Sequence, residues 1–263
     1  MTMRIPFIAL LSGVLASLLF AGTAAAGAAG QAGPVPTGSR ALTDNPIYKT
    51  GKLDLKTCEE QRVIPDDLDS SRVYLEFVLD CLNDSWERQF AKAKLPFSKP
   101  RFETTHRIGF PTGCGPFPKG AQAIYCSTNK KITFLLSPGI LREATELFLF
   151  QVMAHEYGHH VQELSGIFPA FRKKHAKTKS MRAVLPDLRR SELQAECLSG
   201  VFIGSVWHSL NRRESDFTYV LEAAYDTSSH GKASSIAYWL RRGFDQEGPG
   251  ACNTWAAPKS KVS

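Results

Sequence analysis

The sequence predicts a mostly helical α+β domain with a small β-sheet or hairpin. Three observations favour this class: apolar residues recur every three or four positions over several long stretches, two short strand-like runs flank one turn, and no internal repeat of about 20 to 50 residues is present. The chain has 263 residues, of which 43% are hydrophobic and 22% are charged. This composition can form a substantial core and excludes a disordered chain.

The first 26 residues have the layout of a signal peptide. Arg4 precedes an apolar run over residues 5–20, and small residues occupy positions 21–26. The run of about 16 residues is shorter than the roughly 20 that a membrane-spanning helix needs. We therefore predict a secreted, extracellular protein with no stable membrane association after cleavage. An uncleaved N-terminal membrane anchor is the alternative.

The next part of the chain predicts a linker, a helix and a hairpin. Residues 27–57 are rich in Gly, Ala, Pro and Thr without apolar periodicity, which is typical of a flexible N-terminal linker. Apolar residues recur at helical spacing over 69–95, whereas the glycines and prolines of 101–120 favour a loop. Ala121–Ser127 and Lys131–Ser137 have the composition of two strands joined by a short turn.

Four more helices are predicted downstream, at about 141–164, 186–210, 214–226 and 231–243. Residues 169–183 are basic but lack interleaved aromatic residues, which favours a solvated surface over a nucleic-acid patch. The net charge is +7, or +6 (31 − 25) without the leader, and is compatible with an ordinary basic surface. No nucleic-acid partner is predicted.

All six cysteines lie after the leader. In an oxidising compartment an even number of cysteines suggests disulfides, although six cysteines allow 15 connectivities. Nearness in the sequence favours three pairs, of which the middle one is the firmest because a Gly- and Pro-rich loop closes between its members. The predicted pairs are Cys58–Cys81, Cys114–Cys126 and Cys197–Cys252.

The segment from His155 to His159 reads H-E-x-x-H. On a helix, two histidines four residues apart project from one face and can reach the same metal ion. Glu156 lies beside the first of them and can address a metal-bound water, so the pattern predicts a zinc site with Glu156 as the general base. Two histidines packed in a helix core are the alternative.

A catalytic zinc needs a third protein ligand. Glu192 and Glu196 are four residues apart on one predicted helix, and like charges at this spacing repel each other. A metal site resolves the conflict if one carboxylate binds zinc and the other accepts a ring N–H from a ligating histidine. The same helix carries small residues that would let another helix approach closely: Ala195, Ser199, Gly200 and Gly204.

Three blocks of sequence carry a resemblance to a known family. They read HEYGHHVQELSG, SELQAECLSGVFIGSV and SSHGKASSIAYWLRRGFDQEGPGACNTW. In this order they resemble the bacterial neutral zinc metallopeptidase family, a gluzincin-type group of zincins with HExxH plus ExxxD motifs. The similarity extends from about Cys58 to Trp255. It implies a zincin-like metallopeptidase domain over 58–257 that binds one Zn²⁺ per chain.

Matched by position, the resemblance implies His155, His159 and Glu192 as zinc ligands and Glu156 as general base. The family usually has Asp as the last motif residue, where this chain has Glu196. Glu196 is one methylene longer than that Asp, and the alternative assignment makes Glu196 the zinc ligand in place of Glu192.

Two further residues are candidate oxyanion donors, His230 and Tyr225, with helix capping or core packing as the alternative for each. His160 follows His159 by about 100° of helix rotation and is expected to face away from the metal. Lys131–Ser137, by analogy with similar folds, is a candidate edge strand for an extended substrate.

These observations predict a secreted zinc-dependent endopeptidase that acts on a peptide or protein substrate with a metal-activated water. Two alternatives belong to other classes of protein. One is a non-catalytic, zinc-stabilised extracellular adaptor, and the other is a basic protein that binds the cell envelope.

Overall fold

The computed structural model describes residues 32–143 and 145–263, without the side chain of Glu143. The predicted signal peptide lies outside the described residues. Within them, eight α-helices and three strands confirm a mostly helical α+β domain. The helices are α1 Gly38–Thr43, α2 Leu68–Lys92, α3 Pro138–Glu143, α4 Glu146–Leu164, α5 Ile167–His175, α6 Met181–Val206, α7 Glu214–Glu222 and α8 Ala233–Gln246; the strands are β1 Arg101–Thr105, β2 Ala123–Cys126 and β3 Lys131–Leu135.

Helices α2, α4 and α6 form the centre of the core, with α4 packed against both of the others. Asp67 caps α2 by accepting a hydrogen bond from the backbone N–H of Ser70 at 2.7 Å. Phe150 of α4 stacks on Phe202 of α6 with ring centroids 5.3 Å apart. None of the helices in the described ranges is long and apolar enough to span a membrane.

The sheet has the order β1-β3-β2, with β3 parallel to β1 and antiparallel to β2. The prediction that Lys131–Ser137 is an edge strand is therefore wrong, because β3 is hydrogen-bonded on both sides. Within this sheet β2 is an edge strand, and it packs against α4. The prediction of a loop over 101–120 missed β1, whose five residues are too few to show a clear alternation.

Two helix boundaries differ from the prediction. The sequence predicts a continuous helix over 141–164, but α4 begins only at Glu146. Thr145 caps it, because its hydroxyl accepts a hydrogen bond from the backbone N–H of Phe148 at 3.3 Å. The basic segment expected to be solvated contains α5, which buries Phe171 while its basic residues stay at the surface. Helix α6 begins five residues before Pro186, so this proline lies inside the helix, where it has no backbone N–H to donate.

Residues 32–57 are packed against the domain, contrary to the expected flexible linker. Four apolar side chains of this segment are buried, and the buried Asn45 amide donates to the carbonyls of Ala41 and Ser165, each at 2.9 Å. The buried residues are too few and too irregular to produce a periodic pattern. Residues 32–263 form one compact unit, which is wider than the predicted domain 58–257. The four side chains are Ala41, Leu42, Ile47 and Leu53.

Three disulfides join the same pairs that nearness in the sequence favours: Cys58–Cys81, Cys114–Cys126 and Cys197–Cys252. The last of these ties the middle of α6 to the segment after α8. Disulfides of this kind are typical of extracellular or periplasmic compartments.

Helices α6 and α8 meet along a seam of three glycines, Gly200, Gly204 and Gly243. A Cβ atom at any of these positions would overlap a main-chain carbonyl oxygen of the facing helix. Of the small residues expected to let another helix approach α6, Gly200 and Gly204 do so for α8.

Candidate metal centre and active site

Helix α4 carries the H-E-x-x-H motif and lies against α6 at main-chain distance. A Cβ at Gly158 would be 2.9 Å from the carbonyl oxygen of Ala195, so only glycine fits at this crossing. The close approach directs the histidine face of α4 toward the face of α6 that carries Glu192 and Glu196. All four of these histidine and glutamate side chains are mostly buried.

Three imidazoles converge on one carboxylate oxygen. Glu192 Oε2 lies 3.5 Å from His155 Nε2, 3.1 Å from His159 Nε2 and 3.3 Å from His230 Nε2. Ligand atoms of His155, Glu192 and His230 all lie within 4.8 Å of one another. His230 arrives on the loop between α7 and α8, so three separate parts of the chain form this cluster.

The cluster fits zinc in donor chemistry, and the distances from its central carboxylate oxygen fit zinc in spacing. Imidazole nitrogen and carboxylate oxygen are ligands that zinc prefers, and bonds of about 2.0–2.1 Å in a tetrahedron place ligand atoms roughly 3.3 Å apart. The three distances from Glu192 Oε2 fall close to that separation. The residues present can therefore hold the ion that the motif implies.

Glu196 lies behind His155, on the side of the ring away from the cluster. Its Oε1 is 3.2 Å from His155 Nδ1, and its Oε2 accepts a hydrogen bond from Gln151 Nε2 at 3.0 Å. His155 Nδ1 is buried and makes no well-aligned hydrogen bond, so this carboxylate is its nearest polar partner. The two glutamates thus occupy different positions: Glu192 among the ring Nε2 atoms and Glu196 at a ring Nδ1.

His159 is oriented by a buried amide. Its Nδ1 lies 2.9 Å from Gln162 Oε1, while Gln162 Nε2 donates to the carbonyl of Ser191 at 2.8 Å and to Gln194 Oε1 at 2.9 Å. Because both amide hydrogens of Gln162 are taken by acceptors, its oxygen must face the ring. The proton of a neutral His159 is then on Nδ1, which leaves the Nε2 lone pair free for a metal.

The amide chain continues into two distant parts of the molecule. Gln194 Nε2 donates to Tyr48 Oη at 2.7 Å and to the carbonyl of Cys252 at 2.9 Å. The indole of Trp255 donates to Gln194 Oε1 at 3.3 Å. The packed N-terminal segment and the Cys197–Cys252 disulfide therefore both support the amide that holds His159.

Opposing effects set the protonation of the glutamates. Burial raises the pKa of Glu192, but the adjacent His159 and His155 outweigh it and hold that pKa well below its usual range. Burial also raises the pKa of Glu156, and here it outweighs the nearby His159 and His155. Glu192 thus stays ionised for metal binding, whereas the proton affinity of Glu156 is increased.

The other residues singled out in the sequence lie at the cavity wall or away from the metal centre. Glu156 lines a cavity together with His155 and His230. Tyr225 also lines that cavity, but its side chain is largely exposed, with 66% of its surface accessible. His160 bonds instead to Tyr125 Oη at 3.0 Å and to the Ser98 carbonyl at 2.7 Å, and burial lowers its pKa to about 4.

Sequence reasoning missed the supporting amides Gln151, Gln162 and Gln194. Gln162 follows His159 by three residues on the same helix face, and that spacing was the available signal. Gln151 and Gln194 could not be found in this way, because their roles depend on contacts between α4 and α6.

A helix with paired histidines beside a helix with paired glutamates is the arrangement of a zinc metallopeptidase site. Residues 55–226, about two thirds of the chain, match the family described as "Putative neutral zinc metallopeptidase". The chain belongs to this family, which confirms the resemblance seen in the sequence. The matched residues contain both motifs and end before His230.

The chain is also similar to curated bacterial proteins that are described as uncharacterized. It is 28% identical over 220 residues to YpfJ of Escherichia coli K12, covering 75% of this chain and 76% of that protein. It is 26% identical over 181 residues to Rv2575 of Mycobacterium tuberculosis H37Rv, covering 56% and 59% respectively. No solved structure matches the chain.

Proposed function

We propose that this protein is an exported zinc-dependent endopeptidase that hydrolyses peptide or protein substrates. The observation that carries the proposal is the convergence of three imidazole Nε2 atoms on Glu192, beside a buried glutamate at a cavity wall. The membership of the family supports zinc and peptide hydrolysis. The three disulfides support export, for which residues 1–26 would serve as the cleaved leader.

His155, His159 and Glu192 would hold one zinc ion per chain. When bound, zinc supplies Lewis acidity that polarises the scissile carbonyl and lowers the pKa of water. Glu156 then accepts the proton of the attacking water and passes it to the leaving amine. Its burial serves this role, because a raised pKa makes the carboxylate a stronger proton acceptor.

His230 is the proposed donor to the developing oxyanion. Its Nδ1 lies 3.0 Å from Ser229 Oγ and 3.3 Å from Thr227 Oγ1, two hydroxyls that can donate to it. Burial lowers the pKa of His230, so the ring is neutral with its proton on Nε2, the atom that faces the cluster. An N–H preorganised in this way stabilises negative charge as it forms.

The test is the substitution Glu156→Gln. We expect the variant to bind zinc as the unmodified protein does and to lose peptide hydrolysis, because the amide cannot take up the proton. Glu163→Gln is the matched control: Glu163 lies on the same helix but pairs with Arg172 at 2.6 Å, away from the cluster, so activity should persist. Undiminished cleavage by Glu156→Gln would refute the mechanism. A zinc-loaded protein that cleaves no peptide would favour the adaptor.

A further inference from the structure

A cavity of about 590 Å³ opens beside the candidate metal centre. His155, Glu156 and His230 line it, together with residues of α4, α7 and α8 and residues 120–123 at the start of β2. Its volume lies within the range of about 300–1,000 Å³ that is usual for ligand pockets. Whatever occupies this cavity therefore lies directly against the proposed general base.

The walls of the cavity beyond the metal centre are mostly apolar. Each of three helices contributes aliphatic or aromatic side chains that face the same space. Ile236 and Leu240 form a firm floor, since each exposes less than a tenth of its surface. The main apolar residues of the lining are Phe148 and Val152 of α4, Val220 of α7, Ala224 just after α7, and Ile236 and Leu240 of α8.

The charged groups in the lining, among the described residues, are already engaged. The Arg212 guanidinium lies 2.6 Å from Glu60 and 3.6 Å from Glu146. The Asp216 carboxylate accepts from the backbone N–H of Arg213 at 2.9 Å, which caps α7. The other charged groups, Glu156, Glu196 and His155, belong to the metal centre. Because Arg212 already faces two carboxylates, an acidic ligand side chain would lose its hydration here without gaining a free cation.

We propose that this cavity binds a bulky apolar side chain next to the scissile bond. The substrate class is then peptides with an aromatic or large aliphatic residue, such as Phe or Leu, at that position. This inference rests on the proposed peptidase function. Removing a single methylene from a side chain in an apolar pocket typically costs about 10- to 200-fold in kcat/KM, so we expect Phe and Leu to exceed Ala by at least about 10-fold.

The first test compares peptides that differ only in the residue on one side of the cleaved bond, with each side varied in turn. We expect kcat/KM to follow the order Phe and Leu, then Ala, then Asp and Lys. Equal rates across the series, or a preference for Asp or Lys, would overturn the inference and leave the peptidase function intact.

The second test narrows the cavity with Ala223→Phe. Ala223 lines the cavity yet is exposed at the C-terminal end of α7, so the larger ring need not disturb the core. We expect this variant to lose the advantage of Phe and Leu peptides over Ala peptides while keeping its zinc content. Ala91→Phe is the matched control, because Ala91 is exposed in the last turn of α2 and outside the lining. An unchanged preference in Ala223→Phe would overturn the inference.

Equilibrium binding separates this inference from the proposed function. If no peptide is hydrolysed, the peptidase proposal fails, and the same fluorophore-labelled peptides are titrated into zinc-loaded Glu156→Gln protein. Tighter binding of Phe and Leu peptides than of Asp and Lys peptides, abolished by adding Ala223→Phe, would still support the apolar subsite. Binding that does not depend on the varied residue would refute it.

Discussion

Replacing Gln162 by Leu should weaken zinc binding without touching a proposed ligand. Leucine has a similar size but cannot accept the Nδ1–H of His159, which Gln162 meets at 2.9 Å. The ring then loses both its orientation and its fixed proton position. Losing such a supporting partner typically costs about 10- to 100-fold in metal affinity, which corresponds to about 1.4–2.7 kcal/mol at about 1.4 kcal/mol per tenfold.

The same substitution also destabilises the fold, and a matched control separates the two effects. It leaves a buried imidazole N–H without a partner, at a cost of about 1–3 kcal/mol in the free energy of unfolding. Gln89 is equally buried, and its amide donates to the Gly51 carbonyl at 2.9 Å, in a part of α2 remote from the cluster. Gln89→Leu also removes a buried amide that bonds to the main chain, and it should leave zinc affinity unchanged.

The assay is competition for zinc against a chromogenic chelator at fixed pH, since protons compete with zinc for the histidines. Gln162→Glu should bind zinc more tightly than Gln162→Leu, because a carboxylate restores the acceptor that faces His159. Equal zinc affinities for Gln162→Leu and Gln89→Leu would refute the proposed role of Gln162.

Five further substitutions, at four residues, test other parts of the site and the fold. Glu192→Ala should nearly abolish zinc retention, whereas Glu196→Ala should weaken zinc affinity by about 10- to 100-fold and Glu196→Asp should weaken it by less. The assay is zinc titration. If Glu196→Ala loses the metal and Glu192→Ala keeps it, the two assignments are reversed. His230→Ala should lower kcat by about 100- to 1,000-fold at unchanged zinc affinity, whereas a large drop in affinity would make His230 a fourth ligand. Gly243→Ala should lower the unfolding free energy by at least about 1–3 kcal/mol, because its Cβ would overlap the Cys197 carbonyl; an unchanged melting temperature would contradict the tight seam.

The parts of the site that were predictable from the sequence follow from local geometry. The spacing of four residues between His155 and His159 is enough to place both rings on one helix face. The same rule applies to Glu192 and Glu196 once a second helix is recognised. The position of His230 was harder to infer, because a loop residue reaches the cluster only through the packing of α7 and α8.

Features that depend on long-range packing were missed. The sequence could not show that β3 lies between β1 and β2, since sheet order depends on pairing between distant segments. Likewise, residues 32–57 have little periodicity of their own, yet Asn45 and Tyr48 bond to later parts of the chain. The burial of residues 32–57 depends on their contacts with later helices such as α5 and α6, which no local sequence pattern reveals.

The glycine seam between α6 and α8 has a mechanical consequence for the site. In most helix pairs a layer of side chains lies between the two backbones, and rotamer changes in that layer absorb small displacements. Here main chain rests on main chain at Gly200, Gly204 and Gly243, so little adjustable material lies between the helices. We therefore expect the pair to move as one stiff body, so that a shift at the far end of α8 also displaces the glutamates of α6.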